Sequence, residues 1–212
     1  MWKTHKKQII LTLALTLLPA LVGLLLWQRL PEQIPTHFGV DNQPNGYSSR
    51  AFAVLGLPGI LATLELFCVF ATSADPRRRG IDRRMLGLLL WIIPLMSIGC
   101  CGVCYATALG YPVQVGTVLC LLLGAIITVL GNYMPKCGRN YSVGIRTRWA
   151  LEDPENWRCT HRLAGFTFSL GGLLTMVLAF LAPLWCLASI LAAALLPVLY
   201  SYLYYLKHKE AV

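Results

Sequence analysis

The chain has 212 residues, of which 57% are hydrophobic and 13% are charged, and its mean hydropathy is +0.62. A soluble domain carries about 25% charged residues, so this composition excludes an ordinary globular enzyme and indicates a multi-pass membrane protein. We do not interpret the net charge of +9 as direct nucleic-acid binding, because excess Lys and Arg in a membrane protein mostly set its orientation.

Six apolar runs are long enough to cross a hydrocarbon core of about 30 Å. They cover residues 9–27, 51–74, 85–109, 113–133, 163–181 and 183–206. The first run is longer than the apolar core of a signal peptide, so we expect it to be retained as a span. The predicted fold class is an all-α integral membrane protein, a six-transmembrane-helix bundle that forms a single membrane domain over residues 1–212.

Two pairs of these runs are separated only by Gly and Pro residues. Gly110 and Pro112 separate the third run from the fourth, and the step from Ala182 to Pro183 separates the fifth from the sixth. Because Gly and Pro break helices and permit tight turns, we predict two helical hairpins. The alternative for the last pair is one kinked helix, which would be too long for a bilayer.

The charges of the loops predict the orientation. With six spans, both termini and the loops 75–84 and 134–162 share one side of the membrane. That side carries sixteen Lys and Arg residues, whereas the other side carries only Arg29 and Arg50. The positive-inside rule therefore predicts cytoplasmic termini and an outer loop at residues 28–50. None of the eight cysteines lies in that loop, so we expect no disulfide framework.

The outer loop holds three prolines and two glycines, which predict a defined turn path rather than a helix. Asn45-Gly46 suits a turn that needs positive φ. Glu32, His37 and Asp41 could form an outward-facing acid–base or ligand site. We favour the alternative that they merely fold the loop over the bundle, because neither a nucleophile motif nor metal-ligand spacing accompanies them.

Glu65 is the only carboxylate within a predicted span. Ionisable groups at membrane depth are costly and often functional, so a proton relay or a ligand contact is one interpretation. The other is a protonated Glu bonded to a neighbouring Ser, Thr or backbone carbonyl. Cysteines 100, 101 and 104 share one helix face, which fits a soft metal site or, as we favour, a small-residue packing face.

Residues 130–166 form a long polar segment between apolar runs, called the polar island below. Asp153 and Pro154 predict a helix start, with Asp153 as the N-cap. The run from Gly144 to Trp149 joins cations to an aromatic ring, which suits either a protein-binding surface or headgroup anchors. Cys137, Cys159 and His161 supply three possible zinc ligands, but a structural zinc site normally needs four. We therefore expect no metal and no cofactor.

Two motifs resemble the SdpI immunity-protein family. The first is in the outer loop: Leu30-Pro31, Ile34-Pro35-Thr36-His37-Phe38 and Gly46-Tyr47-Ser48-Ser49-Arg50. The second is in the polar island: Leu130-Gly131-Asn132-Tyr133-Met134-Pro135-Lys136, Asn140, Gly144-Ile145-Arg146-Thr147, Trp149, Leu151, Trp157 and Thr160-His161-Arg162. Arg148 and Ala150 stand where such members have Pro and Thr, and Cys159 stands where Lys is more common. The six-span layout agrees with the resemblance.

The resemblance implies protection of a bacterial cell against a secreted toxic peptide, without catalysis. It also implies a receptor role, in which the toxin-bound protein draws a small DNA-binding repressor to the membrane. Besides membrane lipid, these are the expected partners. We predict toxin contact in the outer loop and repressor contact in the cytoplasmic loop. The predicted toxin-contact residues are Pro35, His37, Phe38 and Tyr47. The predicted repressor-contact residues are Asn132, Asn140, Arg146, Trp149, Trp157 and His161.

Two other functions fit the sequence. A small transporter or permease subunit would use Glu65 and would have a polar path through the bundle around it. A membrane enzyme would gather His37, Asp41 or residues of the polar island at one pocket. The sequence lacks the paired acids, metal spacing or nucleophile motif that would favour an enzyme.

Overall fold

The computed structural model describes residues 2–182 and 184–209. Six of the helices in this part of the chain are long and apolar enough to cross a membrane, which confirms the predicted fold class. They are α1 (Trp2–Leu25), α2 (Leu57–Ala74), α3 (Arg83–Ala108), α4 (Val115–Tyr133), α6 (Pro154–Leu181) and α7 (Leu184–His208). A short helix, α5 (Arg148–Glu152), precedes α6.

Helix α6 begins well before the predicted span at residue 163, because the polar island supplies its N-terminus. The Asp153 carboxylate accepts a hydrogen bond from the backbone N–H of Glu155, and Pro154 occupies the first turn. Both features of the predicted helix start are confirmed. A single π-helical turn, Phe52–Gly56, leads into α2. The predicted start of the last span, Pro183, lies outside the described residues.

The outer loop folds as a β-hairpin, which the sequence analysis did not predict. Strand β1 (Gln33–Phe38) pairs antiparallel with β2 (Pro44–Ser49). Asn42 takes a left-handed conformation (φ 61°) in the turn between them. The expected turn at Asn45-Gly46 is wrong, because both residues lie inside β2 and Gly46 pairs with His37. Gly46 is needed for close approach instead: a Cβ there would lie 2.9 Å from the Cβ of His37.

The described chain divides into two compact units. The first comprises Met1–Phe70 and Leu89–Leu122, and the second comprises Ala71–Leu88 and Leu123–Val212. In the first unit the hairpin is anchored by Leu30 and Ile34, which pack in one apolar cluster with Val54 and Tyr105. Cys101 and Cys104 are buried in the same cluster, in the packing role that we favoured for them.

In the second unit α6 and α7 are separate antiparallel helices. The Thr167 hydroxyl donates to the Ala193 carbonyl at 3.0 Å, and the hydroxyls of Thr175 and Ser189 are hydrogen-bonded at 2.5 Å. Helix α4 lies against α6 with backbone almost touching backbone. A Cβ added to Gly172 of α6 would lie 2.5 Å from the Gly124 carbonyl oxygen of α4, so no larger side chain fits there. Small residues of this kind let membrane helices approach closely.

Candidate functional site

The polar island is held together by side chains that bond its own backbone. Asn140 is fully buried. Its Oδ1 accepts hydrogen bonds from the N–H groups of Ser142 (2.9 Å) and Val143 (2.6 Å), and its Nδ2 donates to the Gly138 carbonyl (2.9 Å). Asn side chains commonly mimic a backbone turn in this way. Asn140 therefore shapes the segment that leads into the Gly-Ile-Arg-Thr motif.

The buried His161 side chain holds the backbone of the Gly-Ile-Arg-Thr motif in place. Its Nδ1 lies 2.9 Å from the Trp157 carbonyl, and its Nε2 lies 3.1 Å from the Ile145 N–H. Since a backbone N–H can only donate, Nε2 is the acceptor and the proton sits on Nδ1. Gly144 has φ 102°, and a Cβ on it would collide with the His161 Nε2. The glycine of the motif is thus required on both conformational and steric grounds.

Trp157 completes this interior. Its ring stacks on His161 with centroids 3.9 Å apart, and its Nε1–H donates to the Cys137 carbonyl at 2.8 Å. Trp157 is 3% exposed and His161 is 1% exposed. Burial raises the pKa of the Cys137 thiol to about 11, although a hydrogen bond from Asn140 opposes this shift. Direct contact of Asn140, Trp157 and His161 with a soluble partner, as predicted from the sequence, does not fit their burial.

Asp75 joins the short loop 75–84 to the polar island. Its Oδ2 accepts hydrogen bonds from the Tyr141 N–H (2.8 Å) and the Ser142 hydroxyl (2.7 Å). Its Oδ1 accepts from the Arg77 N–H at 2.7 Å. Burial on its own would raise the pKa of Asp75, but these hydrogen bonds stabilise the carboxylate and lower its pKa below the usual range.

A second buried network ties the island to α7. The Asn156 Nδ2–H donates to the Ser201 carbonyl (3.0 Å), and its Oδ1 accepts from the hydroxyls of Ser201 (2.8 Å) and Thr160 (2.9 Å). The Ser201 hydroxyl is also hydrogen-bonded to that of Thr147 at 3.0 Å. Sequence reasoning missed Asn156 and Ser201. The available signal was a small polar residue, Ser201, within a long apolar run.

The remaining predicted partner residues are accessible. Asn132 and Arg146 are exposed, and Trp149 is half-buried. The Trp149 ring lies against Tyr202 and Tyr205 of α7, with centroid separations of 5.3 and 6.0 Å. These aromatic rings hold α5 against α7.

In the outer hairpin the four predicted toxin-contact residues separate into two groups. His37 and Tyr47 are exposed, and Tyr47 retains 58% of its accessible surface. Pro35 is buried and Phe38 packs on the apolar cluster beneath the hairpin. His37 is hydrogen-bonded to the Asn45 side chain, while the Asp41 carboxylate accepts from the Gln43 N–H. His37 and Asp41 thus have separate hydrogen-bond partners.

Glu65 is buried in the first unit and is 2% exposed. Its Oε2 accepts a hydrogen bond of 2.5 Å from the Thr16 hydroxyl. The Ser97 hydroxyl donates to the Thr16 carbonyl at 2.8 Å, which places three polar residues of α1, α2 and α3 together. Within the described residues, Glu65 Oε1 has no hydrogen-bond partner.

The zinc hypothesis finds no geometric support in the described part of the chain, where no three His, Cys, Asp or Glu side chains are grouped to hold a metal ion. Cys137 packs in a buried cluster with Ala150 and Trp157. The Cys159 thiol instead lies 3.5 Å from the Glu155 carboxylate.

The six apolar helices define the class of the protein as a multi-pass integral membrane protein. Comparison with known proteins is more specific. Residues 136–201 match the model of the SdpI/YfhL protein family, and residues 14–62 match a domain of unknown function (DUF1648). The chain is 25% identical to the immunity protein SdpI of Bacillus subtilis (strain 168), over 95% of this chain and 97% of that protein. No solved structure matches. These matches confirm the resemblance to the SdpI family that the two motifs indicated.

Proposed function

We propose that the protein protects a cell against a secreted toxic peptide. The observation that carries this proposal is the similarity to an immunity protein along nearly the entire chain. The polar island supports it, because the Gly-Ile-Arg-Thr motif is locked in place by Gly144 and His161. A sequence motif that also has a conformation fixed by specific interior contacts supports the family resemblance better than matching residues alone.

The outer hairpin is the proposed contact site for the peptide. His37 and Tyr47 are exposed on it, and Pro35 and Phe38 support them from beneath. In a two-stranded sheet each strand has one edge that is unpaired within the sheet, and such an edge can accept an extended peptide as an added strand. The predicted orientation places this hairpin outside the cell, where a secreted peptide arrives.

Survival of sensitive cells tests this function. Expression of the chain should raise survival in the presence of the peptide encoded beside its gene, and Tyr47→Ala should reduce that protection. Tyr111→Ala is a matched control, because Tyr111 is an exposed tyrosine in another loop on the predicted outer side. If cells expressing the wild-type chain tolerate the peptide no better than empty cells, the immunity function is refuted.

We further infer that the polar island recruits a cytoplasmic DNA-binding repressor. The buried residues Asn140, Trp157 and His161 would act by shaping the island, and the contact would fall on the accessible α5. There Arg148 has 86% of its side chain exposed and pairs with Glu152 at 2.9 Å. A peptide bound outside can change this surface only if it binds one conformation of the protein better than another.

A pull-down from membranes, with and without the peptide, tests recruitment. Arg148→Glu should abolish capture of the repressor encoded nearby while protection persists. Arg79→Glu is the control, because it makes the same charge reversal on the loop 75–84. Undiminished capture by a well-inserted Arg148→Glu protein would return α5 to the simpler role of a lipid-headgroup anchor.

A further inference from the structure

Four arginines of the second unit line one cavity of about 500 Å³. They come from three stretches of chain: Arg77 from the loop 75–84, Arg139 and Arg146 from the island, and Arg148 from α5. Tyr141, Leu151 and Glu152 complete the lining. The volume is within the range of about 300–1,000 Å³ that is typical of small-ligand sites.

Three of these guanidinium groups are oriented by backbone carbonyls rather than by carboxylates. Arg77 and Arg139 each donate to the Leu151 carbonyl at 3.4 Å, and Arg146 donates to the Tyr141 carbonyl at 2.5 Å. Arg77 also lies over the Tyr141 ring, 4.7 Å from its centroid. A neutral carbonyl positions a guanidinium group but leaves its charge uncompensated.

The charge balance of the cavity is strongly positive. Arg148 is the one lining arginine that forms an ion pair within the described residues, and its partner is Glu152. Four positive groups and one negative group leave a balance of three positive charges. The nearby Asp75 carboxylate accepts from the backbone N–H groups of Arg77 and Tyr141 and from the Ser142 hydroxyl, all of them neutral. It keeps its negative charge and reduces the local balance to two positive charges. Each guanidinium has five N–H donors, so most of them remain available for an anion.

A second cavity adjoins the first and has a different lining. It measures about 570 Å³ and shares Tyr141, Arg146 and Leu151 with the arginine cavity. Its other side is formed by Phe168 of α6 with Ala194 and Val198 of α7, three apolar residues of membrane-spanning helices. An apolar recess on the membrane helices thus leads directly to the arginines.

This arrangement matches an amphiphile with a phosphate at one end. Guanidinium groups are the preferred partners of phosphate oxygens, because their planar fork donates two parallel hydrogen bonds. A soluble phosphate compound has no apolar part that would fill the recess. An acidic protein segment would not be expected to enter between the membrane helices α6 and α7. The positive-inside rule requires only that cations lie on one side of the membrane. It does not require three of them to be held around a common cavity.

We propose that this double cavity binds an anionic phospholipid. The phosphodiester headgroup occupies the cavity of Arg77, Arg139 and Arg146, and the first part of an acyl chain lies along Phe168 and Val198. The lipid belongs to the leaflet on the same side as the loop 75–84. This inference is independent of the immunity function, since it rests on charges and cavities in the second unit alone.

Native mass spectrometry of the full-length protein, released from detergent after titration with single lipids, tests the proposal. The wild-type protein should retain one phosphatidylglycerol in preference to phosphatidylcholine. Arg77→Gln with Arg139→Gln should weaken that retention about 30-fold, because each cation near an anionic headgroup contributes about a factor of five. Arg79→Gln with Arg158→Gln is the matched control: it removes two charges from the same two segments but leaves the cavity lining intact.

A second variant addresses the apolar part. Ala194→Phe should fill the recess and weaken phosphatidylglycerol retention while leaving binding of free glycerol phosphate unchanged. Helical content by circular dichroism checks that each variant is folded, and Ala194→Phe tests the site if the arginine variant is not. Equal retention of both lipids by the wild-type protein would overturn the proposal. So would glycerol phosphate binding as tight as lipid binding, or an acidic peptide that binds through the same arginines and is not displaced by phosphatidylglycerol.

Discussion

The Asp75 carboxylate connects the loop 75–84 to the polar island through hydrogen bonds. It accepts hydrogen bonds from its own loop through the Arg77 N–H and from the polar island through Tyr141 and Ser142. Hydrogen bonds to a charged acceptor contribute about 1.5–3 kcal/mol each, which is more than neutral ones contribute. We therefore expect the Asp75 carboxylate to contribute to the ordered conformation of the island.

Asp75→Asn should therefore loosen the island. We expect hydrogen exchange at the Tyr141 and Ser142 amides to accelerate about 30-fold, which corresponds to about 2 kcal/mol of lost local stability. Asp41→Asn is the control, since the Asp41 carboxylate caps a single N–H in the exposed hairpin turn. Unchanged protection at both island amides would show that Asp75 does not hold the two loops together.

The same residue predicts a pH dependence. Its hydrogen bonds lower the pKa of Asp75 in the folded protein. The stabilisation is therefore fully present above the ordinary Asp value of about 3.9 and is lost as the pH falls through the lower folded value. Protection of the Tyr141 and Ser142 amides, corrected for intrinsic exchange, should hold down to about pH 4 and decline below it. A decline that begins between pH 6 and pH 5 would point to another group.

Glu65→Gln should distinguish the immunity function from the transporter alternative. The Gln side chain keeps an oxygen that can accept from Thr16, so insertion, thermal stability and protection of cells should persist. Glu65→Leu removes the acceptor and should cost about 1–3 kcal/mol of stability. A Gln variant that is stable in detergent but no longer protects cells would favour a carboxyl group that carries a proton.

Single residues also show where sequence reasoning stops. The Asp153 N-cap was predictable because the signal is local: an acceptor side chain, then Pro154. The burial of Trp157 was not, because it depends on a hydrogen bond to Cys137, twenty positions away in the chain, and on stacking with His161. The local sequence around a Trp among charged residues is the same whether its side chain faces solvent or is buried.

At the scale of elements, the close contact between α4 and α6 determines how the second unit packs. Four glycines take part: Gly124 and Gly131 on α4, and Gly165 and Gly172 on α6. A Cβ on Gly131 would lie 2.5 Å from the Ser169 backbone nitrogen. Contacts of this kind replace the hydrophobic effect, which gives no driving force between helices in lipid.

Gly172→Leu should separate these helices. Overpacking costs about 1–3 kcal/mol, so we expect Tm in detergent to fall by about 5 °C. Gly102→Leu offers a matched control, because no heavy atom lies within 4 Å of a Cβ built on Gly102. Equal Tm values for the two variants would mean that α4 and α6 are not constrained at this point.

Apolar runs predicted the helices well and predicted the hairpin not at all. A run of some twenty apolar residues has few structural alternatives in a membrane, because every backbone group must be satisfied within the segment. The outer loop lacks such a constraint. Pro35 and Pro44 argue against strands by propensity, and Gly46 was attributed to a turn when its place is opposite His37 in the ladder.

At the scale of the whole molecule, the untested expectation is orientation. The charge count places the polar island in the cytoplasm and the hairpin outside. The native Cys137 cannot report this, because it is buried and burial raises the pKa of its thiol to about 11. Exposed positions on each loop are better reporters.

Val40→Cys and Glu152→Cys provide such reporters. Val40 is 81% exposed in the hairpin turn, and the Glu152 side chain is 62% exposed on α5. An impermeant maleimide should label Val40→Cys in intact cells and Glu152→Cys only after the inner face is opened, with the unmodified chain as background. The reverse pattern would invert the predicted topology.

The hydrogen bond between Asp75 and Ser142 has a consequence for biosynthesis. Its two residues are 67 positions apart, and the whole of α3 and α4 is translated between them. At about 5–20 residues per second, a ribosome needs about 3–13 s to cover that distance. During this interval Asp75 lacks its hydrogen bonds with Tyr141 and Ser142, and Arg77 lacks its hydrogen bond with the Leu151 carbonyl. The second unit is therefore the last part of the chain to be completed, and a nascent chain stalled before Ser142 would present an unfinished arginine cluster to the lipid.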